Sequence, residues 1–353
     1  VRSKLIASTL ILGIAFSILS ITLIVGCGTT SKETDGSVTT IPTIYVSDTG
    51  NGKVLMIDPS TLQVTGSIEI TDASNIQWMV LHPNGGRVYV ADNTTMPGRI
   101  FIINTATNAV EKTLLVMSSP RGMAFNSDGS KLFVVCDMGG TCTVAVVNTA
   151  NDTWDDYISM GSQSYGIDYN PRNNSLYVCD DGENELCKVT AEAGSTRTYV
   201  DISGINDLYD VVTGPGGHSM YVTSHDGPPD RIISVEADSL TIVASWDATA
   251  DGARHIILSP DGKRVYAGIC DYAYIDCLNI ENGVSYESID VGSTASGNIE
   301  QLTFSPDGSR LYAVNNDPSP NQVVVVDTST NTLTYVVTLP AGSNDCFGIV
   351  YRP

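Results

Sequence analysis

The chain has 353 residues, 42% of them hydrophobic and 16% charged, and its 39 acidic residues against 18 basic ones give a formal net charge of −21. Such a balance repels phosphate backbones and anionic lipid headgroups, which argues against nucleic acid as a partner. It keeps a protein soluble at a crowded surface and favours cations or basic partners.

The first element in chain order is Arg2 and Lys4 followed by an apolar stretch from Leu5 to Val25, broken only by small residues such as Ser8, Ser17 and Thr22. At about 20 residues it is long enough to span a bilayer and longer than the ~7–15 residue core of an ordinary signal peptide. On length alone, an export signal and a membrane anchor are both open. The junction Ile24-Val25-Gly26-Cys27 resembles the bacterial lipobox. That resemblance implies cleavage before Cys27 and lipidation of its sulfur. With about 0.8 kcal/mol per buried methylene and three acyl chains, such an anchor is effectively permanent. Gly28, where an aspartate would signal retention, implies sorting to the outer membrane or cell surface. Residues 1–26 are then the signal peptide, which carries away Arg2 and Lys4, and residues 27–40 are the lipidated cysteine and a polar, flexible tether.

From Ile41 to Pro353 the sequence repeats. An aromatic residue recurs at Tyr45, Tyr89, Phe133, Tyr177, Tyr221, Tyr266 and Tyr312, spaced by 44, 44, 44, 44, 45 and 46 residues. Each unit reads as an inner strand, a turn of the Ser305-Pro306-Asp307-Gly308 kind, an aromatic-bearing second strand, a loop, a third strand, a turn rich in Asx or Thr, and an outer strand. Proline presets φ in the first turn and glycine supplies its positive φ. Self-similarity at ~40–45 residues with about four strands per unit marks a β-propeller blade. The expectation is an all-β, seven-bladed β-propeller of four-stranded antiparallel blades over residues 41–353, in which each blade packs only on its neighbours.

Tyr45-Val46-Ser47-Asp48, Tyr89-Val90-Ala91-Asp92 and Tyr177-Val178-Cys179-Asp180, with turns such as Asn104-Thr105-Ala106-Thr107-Asn108, resemble the YVTN-type propeller repeat over essentially all of 41–353. The resemblance implies architecture and is nearly silent on activity, because the fold carries binding proteins, surface proteins and enzymes alike. A WD40 repeat is disfavoured, since no Trp-Asp pair ends a third strand. The last residues, Ile349-Val350-Tyr351-Arg352-Pro353, align with Leu302-Thr303-Phe304-Ser305-Pro306, an inner strand that stops at its turn proline. The ordered part begins instead with a second strand, Thr43-Ile44-Tyr45. Joining the C-terminal strand to this N-terminal blade closes the ring and removes exposed edges.

Of eight cysteines, Cys27 is assigned to lipid. Cys136 and Cys142, Cys179 and Cys187, and Cys270 and Cys277 each flank the loop between the second and third strands of one blade. In an exported chain this placement predicts three hairpin disulfides, each contributing roughly 2–2.5 kcal/mol. Free thiols are the alternative, and metal ligation is weaker because the spacings lack Cys-x-x-Cys and no histidine sits in these loops. Cys346 is left as a buried small hydrophobe. The same loops carry Asp48, Asp92, Asp137, Asp180, Asp181, Glu183, Glu185, Asp226, Asp271, Asp276 and Asp317, expected on one face as solvated turn residues. Calcium around Asp180–Glu185 is left open although the alternating Asp-x-Asp-x-Asp-Gly loop is absent; no other cofactor is expected. Asp58, Asn104, Asn148 and Asp327, between third and fourth strands, are expected to cap Asx turns.

Six residues before each turn proline, or its equivalent, the inner strand begins with Gln77, Arg121, Tyr165, Tyr209, Arg254, Glu300 and Phe347. These should ring the mouth of the central channel, with His255 and Asp210 beside them. Two positions further in, Met79, Met123, Ile167, Val211, Ile256, Leu302 and Ile349 are uniformly apolar. Arginine, histidine and carboxylate converging with tyrosines suit an anionic sugar or carboxylate, or acid–base chemistry. The four histidines of the chain are too scattered for a copper cluster or haem site, and no Gly-x-Ser-x-Gly elbow occurs with triad partners. The sequence therefore points to a monomeric, lipid-anchored envelope protein that binds or scaffolds an extracytoplasmic protein or a small anionic ligand without catalysis. Two rivals are a lactonase-like hydrolase using Arg121, Arg254, His255 and Glu300, and a purely structural envelope component.

Overall fold

The computed structural model describes residues 41–353 apart from 94–95, 193–194, 196, 202–206, 226–229, 271, 282–284, 293–296 and 318–319. The lipobox-like junction and Cys27 lie outside the described residues, as do Asp226 and Asp271. Among the described residues no helix is long and apolar enough to cross a membrane.

Seven four-stranded antiparallel sheets make up one compact unit, Thr40–Pro353. In six of them the strands follow chain order. In blade 1 the C-terminal strand Cys346–Arg352 pairs with Thr43–Asp48, which pairs in turn with Lys53–Asp58 and then Gln63–Glu69. The register of that joint, Ile44 opposite Tyr351 and Val46 opposite Ile349, is the closure the alignment of the two ends predicts. The chain is a seven-bladed β-propeller. Its second and third strands are buried on both faces, as in Arg310–Asn315 and Gln322–Asp327, so they read as runs of valine and leucine rather than as alternation.

Apolar layers between blades hold most of the core, and a polar lock accompanies them. The recurring tyrosine points from one blade to the next: the hydroxyls of Tyr45, Tyr89 and Tyr266 donate to Asn108 Oδ1 (2.6 Å), Asp152 Oδ1 (3.2 Å) and Asn331 Oδ1 (2.9 Å). These acceptors sit in left-handed backbone at the turn before each outer strand, with φ of 49°, 52° and 50°. Asn and Asp tolerate that conformation better than other side chains. The Asx turns expected at Asp58, Asn104, Asn148 and Asp327 are present, each side-chain oxygen accepting from a backbone N–H two residues on. Removing one lock, by Tyr266→Phe, should cost about 1 kcal/mol. A double-mutant cycle with Asn331→Ala should return most of that as coupling energy, and additive losses would mean the hydroxyl is not bonded across the blades.

The hairpin disulfides are not formed. All seven cysteines from Cys136 to Cys346 are free thiols, and all are buried. Strand register gives the reason. Cys136 stands opposite Thr143, not Cys142, and Cys187 stands opposite Val178, not Cys179. A one-residue offset turns the two side chains to opposite faces of the blade, so Cys136 packs toward blade 2 and Cys142 toward blade 4. Cys277 lies opposite Tyr266, while Cys270 reaches Asn298. Cys346 is the buried hydrophobe expected. Burial pushes the Cys142 thiol up to about 11. Native protein should therefore resist alkylation without reductant and expose all seven thiols on denaturation. Cross-linked peptides joining any of the three pairs would contradict this.

Candidate functional site

The mouth is made by a bulge repeated in every blade. Where an inner strand meets its second strand the register shifts between Ile76 and Met79, Pro120 and Met123, Ser164 and Ile167, Leu208 and Val211, Ala253 and Ile256, and Ile299 and Leu302; the closing strand has its own shift at Val46/Asp48. Two residues per inner strand leave the ladder, and a bulge re-aims side chains in this way. The pairs are Gln77-Trp78, Arg121-Gly122, Tyr165-Gly166, Tyr209-Asp210, Arg254-His255, Glu300-Gln301 and Phe347-Gly348. The first member of each pair is the column read from the sequence. Sequence reasoning passed over most of the second members, which decide what the channel becomes.

Glycine at three of these second positions is dictated by close approach. A Cβ on Gly166 would collide with the Asp210 carboxylate, and one on Gly348 with the Gln77 carbonyl. The large second members fill the centre instead. The His255 ring lies 4.5 Å from Trp78 and 5.1 Å from Phe347 between centroids, and Tyr209 meets it edge-on at 5.2 Å. Since blades 6, 2, 1 and 5 supply these four rings, they close the channel across its width. Just beyond, Gln301 spans two blades: its Oε1 accepts from Met79 and Ile349 N–H and its Nε2 donates to Met79 O. Asp168 does similar work by accepting the Thr213 N–H at 2.6 Å, and burial pushes its carboxyl up to about 6. These side chains satisfy the inner-strand backbone edge, which no further strand covers.

Above the plug is a cup of about 290 Å³ lined by Gln77, Trp78, Asn93, Arg121, Tyr165, Tyr209, Arg254 and Phe347. Tyr165 and Tyr209 stack at 5.0 Å and 17°. The Arg121 guanidinium lies 4.1 Å from the Tyr165 centroid and that of Arg254 lies 5.4 Å from Tyr209. This arginine–tyrosine–tyrosine–arginine array spans four consecutive blades and is fixed by cation–π attraction. Gln163 donates to the Tyr165 hydroxyl at 2.7 Å, Arg121 Nη2 donates to Asp137 at 2.7 Å, and Asn93 donates to Gln77 at 3.0 Å.

Of the residues read from the sequence, Gln77, Arg121, Tyr165, Tyr209, Arg254 and Phe347 line the cup, whereas His255 and Glu300 do not. His255 is 2% exposed and Glu300 3%. The imidazole lies between two carboxylates, Nδ1 3.5 Å from Asp210 and Nε2 3.7 Å from Glu300. Asp210 accepts from the Val211 and Ile256 N–H groups, and Glu300 accepts from Asn316. Trp78 and Asn93 were not singled out in the sequence; the doublet at each bulge is the signal that finds the first.

The acidic loop residues differ from expectation too. Asp48, Asp92, Asp180 and Asp276 are fully buried rather than solvated. They cap loop backbone, Asp92 accepting from Asn75 N–H, Asp48 from Asn344 N–H and Asp276 from Thr249 N–H. At the calcium candidate, Asp180 accepts from Ser162 and from the Glu183 N–H and faces Arg197 at 3.8 Å. Asp181 is pushed up to about 7 by burial and by Asp207, with Arg121 pulling the other way. Among the described residues no three His, Cys, Asp or Glu side chains are grouped to hold a metal ion.

Solved structures that share this fold include the following three. Two Bacteroides proteins, each named a "putative 6-phosphogluconolactonase", superpose with TM-scores of 0.71 for that of B. uniformis and 0.70 for that of B. fragilis. They are 15% and 16% identical over 88% and 90% of this chain, and 99% of each of them is covered. A functionally unknown protein from Desulfotomaculum acetoxidans superposes at 0.69, with 15% identity over 88% of this chain and 98% of its own. Identities this low establish the propeller and nothing finer. No protein-family profile matches the chain, and no curated protein matches it.

Proposed function

We propose that this chain is a lipid-anchored envelope protein whose propeller holds a small anionic, ring-bearing ligand in the cup without transforming it. One observation carries the reading: two guanidiniums flank a stacked tyrosine pair at the open mouth, while the imidazole and carboxylate that could do acid–base work are buried beneath and turned toward each other. A tyrosine face suits the apolar face of a sugar ring, and guanidinium suits its carboxylate. Export and anchoring rest on the Ile24-Val25-Gly26-Cys27 junction and on the basic and then apolar segment that precedes it. The YVTN-type repeat supplies the scaffold in this reading.

Lactone hydrolysis is the second reading, favoured by the names of the two Bacteroides proteins of similar fold. It requires His255 or Glu300 to reach a ligand, as a general base must lie within hydrogen-bond distance of the proton it takes. Isothermal titration of the full chain in detergent with a panel of sugar acids tests the binding reading. Saturable binding should weaken about tenfold or more in Tyr165→Ala, since a buried aromatic anchor dominates such sites. Absence of binding to every acid in the panel would overturn it.

A further inference from the structure

The closing joint, between blades 7 and 1, is unlike the locked joints described above. Where those blades place Asn108, Asp152 and Asn331 as acceptors, blade 1 places Leu62, with the same left-handed backbone at φ 56° but no acceptor on its side chain. The tyrosine of blade 7, Tyr312, instead meets Tyr351 of the closing strand, with centroids 5.8 Å apart and rings inclined at 35°. A groove of about 520 Å³ opens here, its accessible wall made by the half-buried Tyr351 and the exposed Pro42 and Pro306, with Tyr312 and Pro59 buried at its floor. That is well within the ~300–1,000 Å³ range of ligand clefts. The comparable space between blades 6 and 7 is about 70 Å³.

We propose that this groove docks an extended, proline-rich segment of a partner protein that carries a lysine or arginine. A polyproline II helix presents apolar ridges that pack on a tyrosine face and on proline rings such as those of Tyr351, Pro42 and Pro306, and it reaches the bound state with little ordering cost. The charge preference comes from the rim. Asp58 and Asp307 both line the groove. Hydrogen bonds from Ser305 and Ser309 hold Asp307 down to about 2, and those from Ser60 hold Asp58 below the usual carboxylate range. Both are therefore ionised wherever the protein is folded and neutral in pH. Arg310, the one cation among the described residues of the wall, already donates to Pro59 O at 3.2 Å, and the chain as a whole is acidic. The groove is formed by other residues than the cup, so its occupancy is independent of the small ligand proposed there.

The test is fluorescence anisotropy of the full chain in detergent with a labelled oligoproline bearing two arginines, beside a Gly-Ser peptide of equal charge. Saturable binding of the oligoproline alone is expected, weakened about thirtyfold in Tyr351→Ala. Tyr351 is on the closing strand, so Asp58→Asn, at a half-buried position whose Asx turn an asparagine preserves, is the second variant, with an expected loss of about threefold that vanishes in high salt. Tyr165→Ala in the cup should leave peptide binding unchanged. No saturable binding, equal binding of the Gly-Ser peptide, or full binding by both groove variants would overturn the proposal.

Discussion

Deleting residues 346–353 should abolish cooperative folding of the propeller rather than fray its end. The lost strand buries Cys346, Phe347, Ile349 and Val350. Each fully buried apolar side chain contributes about 1.5–3 kcal/mol, so their sum rivals the ~5–15 kcal/mol by which a whole domain is stable. Polar groups are stranded as well. Gly348 N–H donates to Ser47 Oγ and Cys346 N–H to Asn321 Oδ1, and both acceptors are themselves buried. The inner strand also packs on both neighbours, reaching Met79 of blade 2 through Gly348 and Tyr312 of blade 7 through Tyr351. Thermal unfolding followed by circular dichroism should show no sharp transition in the truncated chain. A melting temperature equal to that of the intact chain would mean that the ring is closed in some other way.

The second large effect is expected at the plug. His255→Ala removes the group between Asp210 and Glu300 and empties the space enclosed by Trp78, Tyr209 and Phe347. Removing one partner of a buried polar cluster leaves the groups facing it unsatisfied, at a cost of about 1–3 kcal/mol. The cavity adds to this. Urea denaturation should therefore show a large drop in midpoint at unchanged slope. A loss below about 1 kcal/mol would show that the histidine is not structural and would reopen a role for it at the cup.

How far the sequence speaks depends on which physical rule is local. The tyrosine spacing, the Pro-Asp-Gly turns and the Asx caps are each set within a few residues, and they give blade number, strand order and closure correctly. The cup column Gln77, Arg121, Tyr165, Tyr209, Arg254 and Phe347 is legible for the same reason, since its place before the turn is constant. Glu300 fails because burial depends on what stands across the channel, and its blade follows His255 rather than a glycine. The cysteine pairs fail for want of register: Cys136 and Cys142 look symmetrical about their loop, but the loop closes with Asp137 opposite Cys142, and this single step separates the thiols. Asp48, Asp92 and Asp276 read as surface turns because nothing in the sequence shows that loop amides of the neighbouring segment converge on them.

The most direct measurement of the central claim is one-dimensional proton NMR of the full chain in detergent with glucuronate, a cyclic sugar acid, and, separately, with gluconolactone. Saturation transfer to glucuronate that disappears in Tyr165→Ala, together with lactone opening at the rate of the protein-free blank, is the result predicted. Lactone opening faster than the blank, lost in Glu300→Gln with the fold intact, would contradict a site that binds without turnover.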